Sequence, residues 1–168
     1  MSPPALTTPV LRRATPADLD AIMQIEVGTF PSDAWSSDMM ASELASEHTY
    51  YLVAEADGRL VGYGGLLAPR GSGQSDIQTI AVIASARRSG LGRVLMQAMI
   101  AEARDRRASE VFLEVRADNE PAERLYASLG FEAIALRPKY YQPDGVDAVV
   151  MRLAVPEPRT SPAVGGAA

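Results

Sequence analysis

The run with the clearest chemical meaning is Arg87-Arg88-Ser89-Gly90-Leu91-Gly92-Arg93. It lies between an apolar segment, Ser75 to Val82, and a helical segment, Val94 to Ala103. A strand, a basic glycine-bearing turn and a helix together aim backbone N–H groups and a helix N-terminus at whatever sits above the turn. A phosphate group is the best partner for such a site, although glycines also stand at turns for backbone reasons alone. Glu114 is the one charged residue inside Val111-Phe112-Leu113-Glu114-Val115. It is either a rim or salt-bridged glutamate, or a partly buried acid able to serve as a general base. Asn119 reads first as a helix N-cap. Tyr126, on the helix that follows, is taken alone more often a packing tyrosine than a catalytic one. Tyr140-Tyr141, with Arg137 and Lys139 beside them, make an aromatic and cationic loop that either gates a groove or covers a sheet end. The only tryptophan, Trp35, is either part of a substrate groove or lid, or a core plug.

These residues need elements to position them. Val10 to Ala14 reads as a strand, and Thr15-Pro16-Ala17-Asp18 as a helix start with Thr15 at the N-cap and Pro16 at the first helical position. That helix should run to Gly28. Phe30 to Trp35 breaks any period and predicts a loop, after which Ser36 or Ser37 caps a second helix reaching about Glu47. Asp57-Gly58 predicts a hairpin between Tyr50–Ala56 and Leu60–Ala68. Gly62, Gly64 and Gly65 in its second strand imply close approach of another backbone or a ligand. Strands over Val111 to Val115, Phe131 to Leu136 and Asp147 to Leu153 follow, with a helix over Ala122 to Leu129 closed by Gly130 and a loop over Arg137 to Gly145. The order β-α-α-β-β-β-α-β-α-β-β implies an α/β (α+β) fold, a mixed, mostly antiparallel sheet with helices on both faces. One domain is expected over residues 9–154, with a flexible N-terminus at 1–8 and a disordered tail at 155–168.

Composition narrows the chemistry. The chain has no cysteine, which excludes disulfides and thiolate metal sites, and one histidine, His48, so no metal is expected. A net charge of −5 argues against non-specific binding to nucleic acid and mildly favours a cationic partner. No apolar run approaches the roughly 20 residues that span a bilayer. The opening MSPPALTTPV lacks the charged and apolar regions of a signal peptide, so a cytoplasmic location is expected.

The segments IAV, ARRSGLGRVLM and LEVRADNEPAERLYASLGF, in this order and spacing, resemble the GNAT acetyltransferase superfamily. Arg87 to Gly92 fits that family's Arg/Gln-x-x-Gly-x-Gly/Ala pyrophosphate loop. The resemblance is closest to the RimI branch, whose members acetylate the N-terminal alanine of small-subunit ribosomal protein eighteen. It rests on LEVR with an asparagine five residues past its glutamate, on RLYASLGF, and on a Tyr-Tyr pair after a basic residue. The family implies acetyl-CoA as acetyl donor, with Ile80, Ala81 and Val82 offering main-chain groups to its pantetheine arm. Arg88, Ser89, Gly90, Leu91, Gly92 and Arg93 would cradle the pyrophosphate, Arg87 would open the loop, and Asn119 would contact the coenzyme. Glu114 would be the general base and Tyr126 the general acid, with Trp35, Tyr140 and Tyr141 as candidates for substrate binding. The implied partner is the N-terminal segment of a ribosomal protein, without nucleic acid or membrane, bound by a monomer or weak dimer. A GNAT enzyme for small amines or lysine side chains, and a non-catalytic acetyl-CoA-binding domain, are the alternatives.

Overall fold

A computed structural model describes residues 8–155. The expected flexible N-terminus and disordered tail therefore fall almost wholly outside the described residues. The order of elements is the one the sequence predicts: β1 (Val10–Arg13), α1 (Leu19–Thr29), α2 (Ser37–Ala45), β2 (Thr49–Ala56), β3 (Arg59–Leu67), β4 (Gln74–Val82), α3 (Leu91–Asp105), β5 (Glu110–Arg116), α4 (Glu120–Ser128), β6 (Glu132–Tyr141) and β7 (Val146–Ala154). The strands form one seven-stranded sheet in the order β1-β2-β3-β4-β5-β7-β6. Every pairing is antiparallel except β4 with β5.

That exception shapes the molecule. The parallel pair holds only over Gln74–Asp76 against Glu110–Phe112. From Ile77 to Val82, β4 keeps its partner β3 on one side but has no paired residue of β5 on the other. The sheet is thus split along its middle, leaving one side of β4 as an open edge. A bulge sits at the point of splitting: Leu66 pairs with Ile77 and Gly65 with Thr79, so Gln78 is the extra residue. The bulge changes which alternate side chains face which side of the sheet.

Alternation in the strands builds a core on each face. Leu52 and Ala54 of β2 and Val111, Leu113 and Val115 of β5 pack with Leu95, Met96 and Met99 of α3. On the other face, Tyr51, Val53 and Tyr63 pack with Ile22 and Ile25 of α1 and Met40 of α2. Leu95, Met96 and Met99 are fully buried, and each such side chain contributes about 1.5–3 kcal/mol relative to exposure.

Several local expectations are corrected. Of the β3 glycines, Gly62 does bring another backbone close, the Ala81 carbonyl lying 3.1 Å from where a Cβ would stand, but Gly64 and Gly65 face side chains. A Cβ at Gly64 would lie 2.7 Å from the Met99 side chain, and one at Gly65 2.2 Å from the Tyr51 ring, so these positions make room for α3 and for a neighbouring tyrosine. Residues 16–18 form a 3-10 turn rather than the first turn of α1, which begins at Leu19 and continues one residue past Gly28. Arg137 to Tyr141 is not loop but the distal part of β6, with a register irregularity between Arg137 and Tyr141 and Lys139 at φ +52°. Asp147 accepts from the Lys139 N–H at 2.9 Å and carries the irregular strand past Pro138. Helix α3 starts at Leu91, three residues before the expected Val94.

Candidate functional site

The β4–β5 split opens into a cleft of about 800 Å³. Its walls come from β4, β5, the end of α1 with the loop after it, α4, and the distal part of β6. Glu114, Asn119, Tyr126, Trp35, Tyr140, Tyr141 and Ile80 all line it, residues from widely separated parts of the chain.

Glu114 stands on the face of β5 shared with Phe112 and Arg116, opposite the buried Val111, Leu113 and Val115. Its side chain is 29% exposed, and Arg137 Nη1 donates to its Oε1 at 2.6 Å. The Tyr140 hydroxyl also donates to Glu114, and this bond, reinforced by burial, raises the Tyr140 pKa. The Arg137 guanidinium lies over the Tyr140 ring at 4.3 Å, and Tyr140 meets Tyr141 edge-on at 5.1 Å. The partly buried acid and the salt-bridged glutamate, separate readings of the sequence, are the same residue here. Arg137 and Tyr140 fix the direction of a carboxylate that faces the cleft.

Tyr126 reaches the cleft from α4 on the other side of the sheet. It is only 7% exposed, packs edge-on against Phe131 at 6.1 Å between ring centres, and has its pKa pushed up to about 12 by burial. It packs and faces the cleft at once. Asn119 likewise does two things: its Oδ1 accepts from the Ala122 N–H at 3.3 Å as the α4 N-cap, and its side chain lines the cleft. Trp35 belongs to the α1-side core and to the cleft wall together.

Arg87 to Arg93 does not line the cleft, and follows the open edge of β4 by way of a short 3-10 turn, Ala84–Ala86. Arg88 at φ +65° and Gly90 at φ +85° are both left-handed, and Gly90 caps α3 without any side-chain hydrogen bond. The first N–H groups of α3 therefore have neither intrahelical nor side-chain partners, the arrangement that receives an anion. The side chains here are mostly engaged elsewhere. Arg87 Nε donates to the Val82 carbonyl at 3.0 Å, Ser89 Oγ to the Ala86 carbonyl at 2.5 Å, and Arg93 Nη2 to Ser128 Oγ at 2.7 Å. Leu91 is buried in the core. What the turn presents is main chain.

Four further charged residues line the cleft without being singled out by any sequence motif: Glu26, Asp33, Arg116 and Asp76. Glu26, 1% exposed, accepts from the Trp35 N–H at 2.9 Å, from the Tyr63 hydroxyl and from Thr79 Oγ1 at 3.3 Å, so it anchors the Trp35 loop to the sheet. Its signal was a carboxylate four residues after Ile22, on the apolar face of α1. Arg116 joins Asp33 at 3.6 Å, Asp118 at 3.1 Å and Asp144 at 3.0 Å, tying the loop after α1, the start of α4 and the β6–β7 turn together. Asp76 lines the cleft from β4, with its pKa raised by burial and by the charge of Glu114. Among the described residues no group of His, Cys, Asp and Glu has a metal-binding arrangement, and no helix is long and apolar enough to cross a membrane.

Comparison with known proteins gives a consistent result. Residues 19–131 match the sequence model of the acetyltransferase (GNAT) family. The N-alpha-acetyltransferase RimI of Mycobacterium tuberculosis is 37% identical over 141 residues, covering 82% of this chain and 87% of that protein. An uncharacterised protein of Mycobacterium leprae is 39% identical over 146 residues, 85% of this chain, but the match spans only 40% of that longer protein. Among solved structures, the ribosomal-protein-S18-alanine N-acetyltransferase from Escherichia coli superposes with a TM-score of 0.77 at 28% identity, covering 91% of this chain and 97% of that one.

Proposed function

The chain belongs to the acetyltransferase (GNAT) family, and from that premise we propose that it transfers an acetyl group from acetyl-CoA to the N-terminal α-amino group of a protein, the N-terminal alanine of a small-subunit ribosomal protein being the foremost candidate. One observation carries the reading: Glu114 and Tyr126, from opposite faces of the sheet, line the same cleft where β4 and β5 separate. The relatives named for N-terminal and S18-alanine acetylation support the substrate class.

The residues fit the coenzyme. The unpaired edge of β4 at Ile80–Val82 can accept a pantetheine arm as if it were an added strand, and the uncapped start of α3 with its left-handed turn suits a pyrophosphate. Bound there, acetyl-CoA supplies an acetyl thioester.

The chemistry then falls to the cleft. A free α-amine titrates near 7.7–8.0 and a lysine amine near 10.4, so deprotonating lysine at neutral pH costs roughly 3–4 kcal/mol more. A glutamate base serves the α-amine far more easily. Glu114 takes the proton, directly or through one water, while Arg137 and Tyr140 hold the carboxylate toward the cleft. Tyr126, with its pKa near 12, stays protonated and donates a hydrogen bond to the departing sulfur. A free thiol titrates near 8.5, below the raised Tyr126 pKa, so the phenol acts by hydrogen-bonding the sulfur as negative charge develops on it; the coenzyme leaves as a thiolate, which takes up the second N–H proton released as the amide forms.

Glu114→Gln and Tyr126→Phe test this assignment. Glu114→Gln is expected to lower kcat on an alanine-start peptide by about 10²–10⁴-fold, and Tyr126→Phe by roughly tenfold or more, with acetyl-CoA affinity in calorimetry unchanged for both. Wild-type turnover in both variants removes these roles.

A further inference from the structure

Among the described residues, the carboxylates of the cleft are engaged, with one exception. Glu26 accepts three hydrogen bonds, Asp33 pairs with Arg116, and Glu114 is held by Arg137 and Tyr140. The carboxylate of Asp76 has no hydrogen bond or ion pair among the described residues; the one charge acting on it is that of Glu114, which repels. Asp76 is half-buried and lines the cleft. It pairs with Phe112 in the parallel ladder, so Glu114, two residues further along β5, is the next side chain on the same face.

A half-buried carboxylate facing a second carboxylate, with no donor, opposes folding. The strand itself does not need it, since Asp76 is an ordinary ladder residue. What it lacks is a cation with several N–H donors, and the substrate of the proposed reaction is one. A protonated α-amine carries three N–H groups, enough to reach two carboxylates at once.

We infer that Asp76 is the seat for the charged form of the substrate's α-amine, accepting hydrogen bonds from the incoming ammonium beside Glu114. The inference rests on the α-amine reading above. Asp76 holds the ammonium; one of its N–H protons then passes to Glu114, and the neutral amine, less strongly held by Asp76, is free to attack. Asp76 thus acts on capture more than on turnover, and specificity for a cationic first group is built into β4.

The test is Asp76→Asn, which keeps the shape and removes the charge. KM for an alanine-start peptide is expected to rise roughly ten- to a hundredfold, the range for a charge-assisted hydrogen bond, with kcat changed by no more than about threefold. Acetyl-CoA affinity should hold, and the melting temperature should stay level or rise, whereas loss of a merely structural residue would lower it. A second measurement uses two unreactive peptides as competitive inhibitors, one with its first amine dimethylated and still charged, one lacking the amine. Wild-type protein should prefer the charged peptide and the variant should not. If wild-type protein acetylates α-amines while the variant keeps both KM and the preference, Asp76 is not the seat and the proposed function stands. If wild-type protein acetylates no α-amine, the proposed function falls and this inference falls with it.

Discussion

In the proposed reaction, burial decides what Tyr126 contributes and over what pH range. An ordinary tyrosine begins to ionise near pH 10, but burial alone lifts Tyr126 to about 12, so its donor proton persists through the range where the substrate amine loses its own. The sign is plain: kcat/KM should not fall on account of Tyr126 below about pH 11, and any decline as pH passes about 8, where the substrate loses the charge that Asp76 would capture, should persist in Tyr126→Phe. A pH–rate profile checks this, and a decline centred near pH 10 that Tyr126→Phe abolishes would contradict it. The family resemblance made Glu114 and Tyr126 candidates, because the motifs that carry it are local properties of the sequence. It did not reveal Asp76 or Glu26, whose meaning depends on which side chains meet them across the sheet. Asp76 sits at the start of an apolar strand and looks like a rim residue until the bulge at Gln78 and the parallel ladder set it beside Glu114. Glu26 reads as a polar interruption of α1 until Tyr63, Thr79 and the Trp35 loop surround it.

Elements make two further predictions. The turn before α3 presents main chain, so in the proposed coenzyme site its conformation matters more than its side chains. Gly90 sits at φ +85° with open space around its Cβ position, and Gly90→Ala therefore costs backbone strain alone, about 1–2 kcal/mol. Acetyl-CoA binding in calorimetry should weaken by roughly tenfold with kcat at saturation retained; unchanged affinity would place the pyrophosphate elsewhere. The second element is the junction of β1 with α1. Arg12 bridges Asp18 at 2.8 Å and Glu55 at 2.6 Å, and Asp18 also accepts from the Thr15 N–H at 2.8 Å. Led by the Arg12 hydrogen bond, these partners hold the Asp18 carboxyl down to about 2. A depressed carboxylate stabilises the fold above its unfolded pKa and loses that effect as pH falls toward the folded one. Asp18→Asn should thus cost about 1–2 kcal/mol in urea unfolding at pH 7, allowing for solvent screening at the half-exposed Arg12, and the gap to wild type should narrow between pH 5 and pH 3. A gap independent of pH would mean that Asp18 stabilises by shape. Hairpin, helices and their order were legible from turn chemistry and periodicity. The distal part of β6 was not, because Pro138 and the left-handed Lys139 disguise a strand whose ladder is completed by the side chain of Asp147.

At the scale of the whole molecule, one interrupted ladder produces the site. Where β5 stops pairing with β4, an open strand edge, a helix N-terminus and a cleft lined by Glu26, Asp33, Asp76 and Glu114 fall in line. Against these carboxylates, Arg116 is the one cationic side chain in the cleft lining among the described residues, with Arg137 at its edge. The overall order of elements foretold a mixed sheet, but not where it would split, since the length of a ladder is set by packing on both faces and not by either strand's own pattern. If the proposed function holds, this acidic cleft acetylates an α-amine and leaves lysine alone. The direct measurement is mass-spectrometric localisation of acetyl groups on a peptide that begins with alanine and carries one internal lysine, after incubation with acetyl-CoA at neutral pH. A single acetyl group is expected on the alanine nitrogen, with a peptide whose α-amine is blocked left unmodified. Acetyl on the lysine with the α-amine untouched would contradict it.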